Sequence, residues 1–495
     1  MRATFTGLEI ARRSLQAHRF AMDVTGHNIA NANTPGYSRQ IARLVSTDPY
    51  TSPSFNMPAF SGQLGTGVRV AEIVRMKDEF VQQQIVAETQ TLGYWSTRDS
   101  ILRELELTFL EPSESGIRNT LDQFFIALQE LSTNPESRAV RALVRERAIV
   151  LADTIRTTYQ QLDPLRKQLD SEIRAKVSEI NSIAAQIADI TREISMVIAS
   201  GDMPNDLFDK RENLVRELAR IADITVIERS HGHLVIGIGG VSLVDGVHHR
   251  EIVAADTDGD GFADLTWSGT NIGVSLRSGE LAALVEGRDE LIPGYMDMLN
   301  DFARDLIVRV NEIHNAGYGL YDAFDPNQYE PIDPDGGPPP APPGRDFFKD
   351  DSDDPKYLEF AAAYISLADD ILADASNIAA SFNGAIGDGS NALRLASLKD
   401  ERFMSNGTST PGDYFSSMIS ELGVQAQKAA RMVEHQEVLL GHLERLDASV
   451  SGVSLDEELT KLVQYQHAFA AASRLITTVD EAIDVIINRM GLVGR

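Results

Sequence analysis

The aspartates Asp256, Asp258, Asp260 and Asp264 stand in the run Asp256-Thr257-Asp258-Gly259-Asp260-Gly261-Phe262-Ala263-Asp264. Carboxylates at loop positions one, three, five and nine, with glycine at six, suit oxygen coordination of calcium. A helix–loop–helix calcium site also requires glutamate at position twelve, and that place holds Trp267. The flanks read as strands, so the run is either a calcium-binding β-hairpin turn or an acidic glycine-rich turn that carries no metal. Histidines are the other candidate ligands. His231 and His233 alternate on one strand face and His248 and His249 follow nearby, but no carboxylate stands at a fixed spacing beside them. They read as surface residues. No Ser-His-Asp order, phosphate-binding loop or HExxH pattern suggests catalysis, and Gly237-Ile238-Gly239-Gly240 does not open a helix as a dinucleotide fingerprint must. The chain reads as a non-enzyme that requires no cofactor.

The elements around these residues are mainly helical. The chain has 495 residues, few aromatics and no cysteine. That excludes disulfides, thiolate metal sites and a cysteine nucleophile. A net charge of −28 argues against a nucleic-acid partner, whose phosphates would repel it. No run approaches the roughly 20 apolar residues of a membrane span, and no cleavable signal peptide is read.

The strongest pattern lies at the C-terminus. Leu455, Leu462, Phe469, Ile476, Ile483 and Met490 fall seven residues apart, with Tyr465, Ala472, Val479 and Ile486 in a second row. This is a coiled-coil seam about five heptads long, capped by Ser454 with Glu457 and spanning roughly 50 Å as a helix. Leu8, Leu15, Met22 and Ile29 repeat in the same way at the other end, where His18 and Thr25 interrupt the second row begun by Ala11. Two striped ends predict that the termini pack together, with the rest of the chain looped out from them.

Residues 1–50 and 450–495 therefore form a terminal helical domain. Residues 67–222, 278–320 and 360–449 form a helical bundle, with a long helix over about 136–199 punctuated by Pro164 and a break at Pro293-Gly294. Strands at Ile224–Glu228, His233–Ile238, Val241–Val244 and His249–Ala254 make 223–277 an inserted β domain. The stretch 321–359 has consecutive prolines, Pro338 to Pro340, and a large acidic excess, which reads as a solvated loop or linker. Glu359 to Ile365 is either strand or helix.

Asn28-Ile29-Ala30-Asn31-Ala32-Asn33-Thr34-Pro35-Gly36-Tyr37-Ser38-Arg39-Gln40 resembles the N-terminal signature of the bacterial flagellar rod, hook and hook-associated proteins. Ser451-Gly452-Val453-Ser454-Leu455-Asp456-Glu457-Glu458, with Tyr465 to Phe469 and Ile476 to Asp480, is similar to the C-terminal signature of the hook-associated members. Asn205 to Glu212, Gly279 to Leu284 and Asn311 to Tyr318 agree as well. The resemblance implies a structural hook–filament junction protein, an inner domain of paired terminal helices and outward-projecting bundle and β domains. Its implied partners are other copies in a ring, the hook protein, a second hook–filament junction protein and an export chaperone on the C-terminal helix. The implied location is extracellular, reached by type III export without a cleaved signal. Two other readings remain: another axial protein of hook or rod, and a secreted calcium-dependent adhesin.

Overall fold

A computed structural model describes residues 3–49, 65–109, 113, 116–270, 272–322, 341–350 and 359–489. The chain leaves and re-enters a helical layer at its two ends. Helix α1 (Ala3–Ala30) runs into the turn formers of Asn31 to Tyr37, then into strand β1 (Gln40–Ser46), which pairs antiparallel with β2 (Val68–Arg75). Most of the connector between these strands lies outside the described residues. Helices α2 (Glu79–Phe109), α3 (Ile117–Thr133), α4 (Arg138–Ala199) and α5 (Asn205–Ile221) follow.

Helix α4 is unbroken through Pro164. The ring removes one backbone donor, but Pro164 and the preceding Gln160 and Gln161 face solvent, where water can take up the freed carbonyl. The opposite face carries Ile173, Val177, Ile180, Ile183, Ile187 and Ile194 into the core, the stripe that three- and four-residue spacing demands.

The insertion holds β3 (Ile224–Glu228), β4 (Leu234–Ile238), β5 (Val241–Asp245) and β6 (His248–His249) in one antiparallel sheet. A separate hairpin follows, β7 (Ile252–Ala255) with β8 (Asp264–Trp267). The single strand expected over His249–Ala254 is thus divided between two sheets. Ile236, Ile238, Leu243 and Trp267 share one continuous core with the bundle helices, so the insertion is fused to the bundle.

Beyond it, α6 (Glu280–Glu286) passes through a π turn at Gly287–Leu291 into α7 (Ile292–His314). No break occurs at Pro293; the irregularity lies just before it, in the π turn whose wider hydrogen bond runs from Ile292 N–H to the Gly287 carbonyl. Short helices α8 (Ala361–Tyr364), α9 (Asp369–Ala373) and α10 (Ser390–Ser397) lead to α11 (Pro411–Ser451) and α12 (Leu455–Asp484). Residues 361–364 are therefore helical, which decides between the two sequence readings.

The acidic stretch has more structure than its composition suggested. Pro338 to Pro340 lie outside the described residues, but Phe347 and Phe348 are fully buried. Their rings pack on Phe124, and Phe347 also meets His314 edge-on. Asn311 makes this burial tolerable: its Oδ1 accepts from both Phe347 and Phe348 N–H at 2.9 Å, and its amide donates to the Phe348 carbonyl at 2.8 Å. His314 completes the clamp. Its Nε2 accepts from the Ala379 N–H at 2.9 Å while Nδ1–H donates to the Arg345 carbonyl at 2.6 Å, which fixes a neutral tautomer.

Burial pushes His314 down to about 4, from an ordinary 6.5. Its stabilising contribution is therefore complete above pH 6.5 and is lost as pH falls towards 4, a loss of about 3 kcal/mol. Urea midpoints measured from pH 7 to 4 should fall accordingly. His314→Gln, which keeps a donor and an acceptor but does not titrate, should flatten that slope.

Candidate functional site: the terminal helix pair and its polar joint

Helices α1 and α12 pair antiparallel along their length. A Cβ at Gly7 would lie 3.9 Å from Val479, the His18 and Tyr465 rings meet at a tilt with centroids 6.1 Å apart, and Asn28 bonds Glu458. The buried residues of α1 are Ala11, Ala17, Ala21, Val24, Thr25 and Asn28, of which Ala21 and Val24 also pack with Ala42 of β1. On α12 the buried positions are Glu458 and Ala472, in the same row as Tyr465 and Val479.

The structure places Leu8, Leu15, Met22, Ile29, Leu462, Phe469, Ile476 and Ile483 half-buried, flanking the seam, while Leu455 is exposed. Met490 lies outside the described residues. The row that holds His18 and Thr25 is the one that faces the partner helix. Thr25 can sit there because its hydroxyl donates to the Ala21 carbonyl at 2.9 Å within its own helix. Small side chains bring the two backbones close, and the larger residues straddle the contact.

Among the described residues, the face of α12 turned from α1 has no cover. On it Leu459 and Val463 are each close to half exposed and Ile487 is 72% exposed, while Leu475 and Ile486, also near half exposed, stand beside and in the row that faces α1.

At its lower end the pair closes on a polar joint. Asn28 donates to the Gln40 carbonyl at 2.8 Å and to Glu458 Oε2 at 2.9 Å, while its Oδ1 accepts from Tyr37 Oη and Gln40 N–H. Glu458, 1% exposed, also meets Arg39 at 3.3 Å and Lys461 at 3.1 Å. The next residues bind the bundle. Ser38 N–H donates to Asp209 at 3.0 Å, Gln40 donates to Asp206 at 2.8 Å, and Arg75 bridges Asp209 and Glu212 at 2.8 and 2.9 Å.

Burial pushes the Glu212 carboxyl up, but Arg75 and Lys77 outweigh it and hold it below the usual carboxylate range. Gly36 takes a left-handed φ of +72°, and a Cβ there would collide with Asn213, so this turn requires glycine. Asn28 to Gln40, Asn205 to Glu212 and Ser454 to Glu458 thus converge on one node, though about 170 and 420 residues separate Ser38 and Arg39 from their partners.

The metal candidates part company. Asp256, Asp258 and Asp260 lie exposed with carboxylate oxygens within 4.8 Å of one another. Asp264 instead accepts from the Thr257 N–H and hydroxyl. The three converging carboxylates already accept from Gly259, Gly261, Asp260 and Phe262 N–H groups, which closes the turn. The turn is pinned to the bundle where Arg288 and the Ala263 N–H both reach Asp170 Oδ1, at 2.6 and 2.7 Å. His233 pairs with Asp245 at 3.3 Å, and His248 and His249 are exposed. The His231 side chain is outside the described residues. Among the described residues no histidine group converges as a metal site.

Three family models match the same stretches. That of the flagellar hook-associated protein FlgK helical domain covers residues 102–328, and that of the flagellar basal body rod FlgEFG protein C-terminal covers 448–490. A flagella basal body rod protein model covers 8–37. The chain is also 31% identical over 526 residues to flagellar hook-associated protein 1 of Bacillus subtilis (strain 168), covering all of both chains.

The chain belongs to the flagellar hook-associated protein 1 family.

The Escherichia coli (strain K12) protein of that name is 24% identical, with 97% of this chain and 98% of that one covered. The solved structure of the flagellar hook junction protein FlgK from Burkholderia pseudomallei shares the fold, with a TM-score of 0.60 at 17% identity over 74% of this chain and all of that one. As a member of the hook-associated protein 1 family, the chain is a structural protein of the flagellum, not an enzyme, and associates with other axial components. No helix among its described residues is long and apolar enough to cross a membrane.

Asp209 carries the joint between the terminal pair and the bundle, since it holds both Arg75 and Ser38. Asp209→Ala leaves a buried guanidinium with half its partners and should cost about 3 kcal/mol in urea unfolding, while circular dichroism stays helical.

Proposed function

We propose that the chain is the hook-side adapter of the hook–filament junction: a ring of copies bound to the hook protein below and to a second junction protein above. The observation that carries this reading is the set of exposed apolar side chains on α12. Helix α1 occupies the row of Glu458, Tyr465, Ala472 and Val479, and off that row Leu459, Val463 and Ile487 are about half exposed or more. A surface that meets a different surface on the next copy builds open helical or ring assemblies, which an axial structure needs. The polar joint then passes load from the terminal pair into the bundle through Arg75, Asp209 and Glu212.

The same face explains the need for a partner before assembly. Large exposed apolar side chains are an aggregation hazard, so an export chaperone covers α12 until the chain leaves the cell through the type III path without a cleaved signal. Helix α12 rests chiefly on α1 and buries few of its own side chains, as expected for a segment that opens locally. No cofactor is required; calcium held by Asp256, Asp258 and Asp260 would be an accessory to the outer β-hairpin.

The double variant Leu459→Asp and Val463→Asp separates assembly from folding. Both side chains are solvated in the single chain, so the thermal midpoint should stay within about 2 °C. Incorporation at the junction, read by immunogold labelling of purified flagella, should be abolished because two charges would be buried against the neighbouring copy. Deleting 455–495 should likewise leave the bundle folded and abolish incorporation. Normal incorporation of either form would refute the assignment.

A further inference from the structure

The apolar pattern of the terminal helices repeats every seven residues on both partners, and that repetition leaves their alignment ambiguous. Shift α12 by one heptad along α1, and Leu meets the place of Leu, Phe or Ile. The flanking rows Leu8-Leu15-Met22-Ile29 and Leu462-Phe469-Ile476-Ile483 would stay apolar against apolar. The small residues Ala11, Ala17 and Ala21 would still admit a close approach. Hydrophobic matching therefore selects the faces but not the register.

Between the two helices themselves, one side-chain contact breaks the degeneracy. Glu458 occupies the inner row of α12, one heptad before Tyr465, and it is buried at 1% exposure. In the observed alignment it meets the one amide in the inner row of α1, Asn28, at 2.9 Å. Slipped one heptad one way, Glu458 would face Ala21, which offers no side-chain donor. Slipped the other way, it would pass the end of α1, and Asn28 would face Tyr465. Either move strips partners from a buried carboxylate, which costs several kcal/mol.

We propose that the Asn28–Glu458 contact is the register lock of the terminal helix pair. Arg39 and Lys461 neutralise the carboxylate, and Asn28 supplies the geometry that only one alignment satisfies. Because Asn28 also holds the Gln40 backbone, whose side chain is tied to Asp206, the lock sets the register of the pair relative to the bundle as well. Glu458 and Asn28 are positioning residues: they fix where the outer face of α12 stands along the axis. The lock is a property of the isolated subunit, so its failure would leave the proposed junction role standing.

The absence of native cysteine allows a direct test. Gly7→Cys is paired in turn with Val479→Cys, Ala472→Cys and Ile486→Cys, which report the observed register and the two one-heptad slips. In the otherwise native chain, oxidation should link 7 with 479 at least tenfold faster than with 472 or 486. Combining Asn28→Leu with Glu458→Leu should bring a slipped pair to within about threefold of 7–479. Should the leucine pair prevent any crosslink, Asn28→Ala is read with the same reporters. It should show the same loss of preference, while Glu458→Gln, which keeps the bond to Asn28, should retain it. A preference for 7–479 that survives both the leucine pair and Asn28→Ala would overturn the proposal. So would free crosslinking of all three pairs in the native background.

Discussion

The contact on which this molecule depends is the antiparallel approach of its two end helices over a floor of alanines. Ala11, Ala17, Ala21 and Ala472 have almost no side chain to interpose, so the backbones come close and the larger residues are pushed to the flanks. That arrangement has two consequences. Little apolar surface is buried for the length of helix involved, so the pair is a modest contributor to stability. And one face of α12 stays open, with its leucines and valines solvated.

The rest of the chain converts this pair into a mechanical part. A single core runs through α2 to α7, the β insertion and the upper half of α11, and it is far larger than the few residues buried beneath the terminal helices. The two regions meet through charge and amide chemistry rather than grease. Arg75, Asp209, Glu212 and Lys77 hold one side, and Asn28, Tyr37, Gln40 and Glu458 hold the other. Buried ion pairs and amides of this kind are directional, so the joint fixes an orientation that apolar packing alone would leave loose.

Much of this is legible in the periodicity of the sequence. The striped ends, the long isoleucine face of α4 and the short strands after Ile224 are local patterns, and local patterns survive in sequence. The polar residues that matter were hidden for a physical reason. His18 and Thr25 looked like defects in a seam, because a hydrophobic count penalises any polar side chain at an inner position. Thr25 satisfies itself within its helix, and Glu458 and Asn28 satisfy each other across 430 residues of chain. Phe347 and Phe348 were obscured by the acid and proline around them, and only the remote Asn311 explains how their backbone can be buried. Among the aspartates, spacing correctly gathered Asp256, Asp258 and Asp260, but it could not show that Asp264 turns to Thr257.

The most direct measurement of the central claim is the accessibility of the outer face of α12 in two states. A single cysteine at Leu459, in a chain that has none, can be labelled with a maleimide in the free subunit and in purified flagella. The account predicts rapid labelling in the free subunit and strong protection in flagella, with a cysteine at the solvated Asp189 reactive in both. Equal labelling of position 459 in the two states would contradict it.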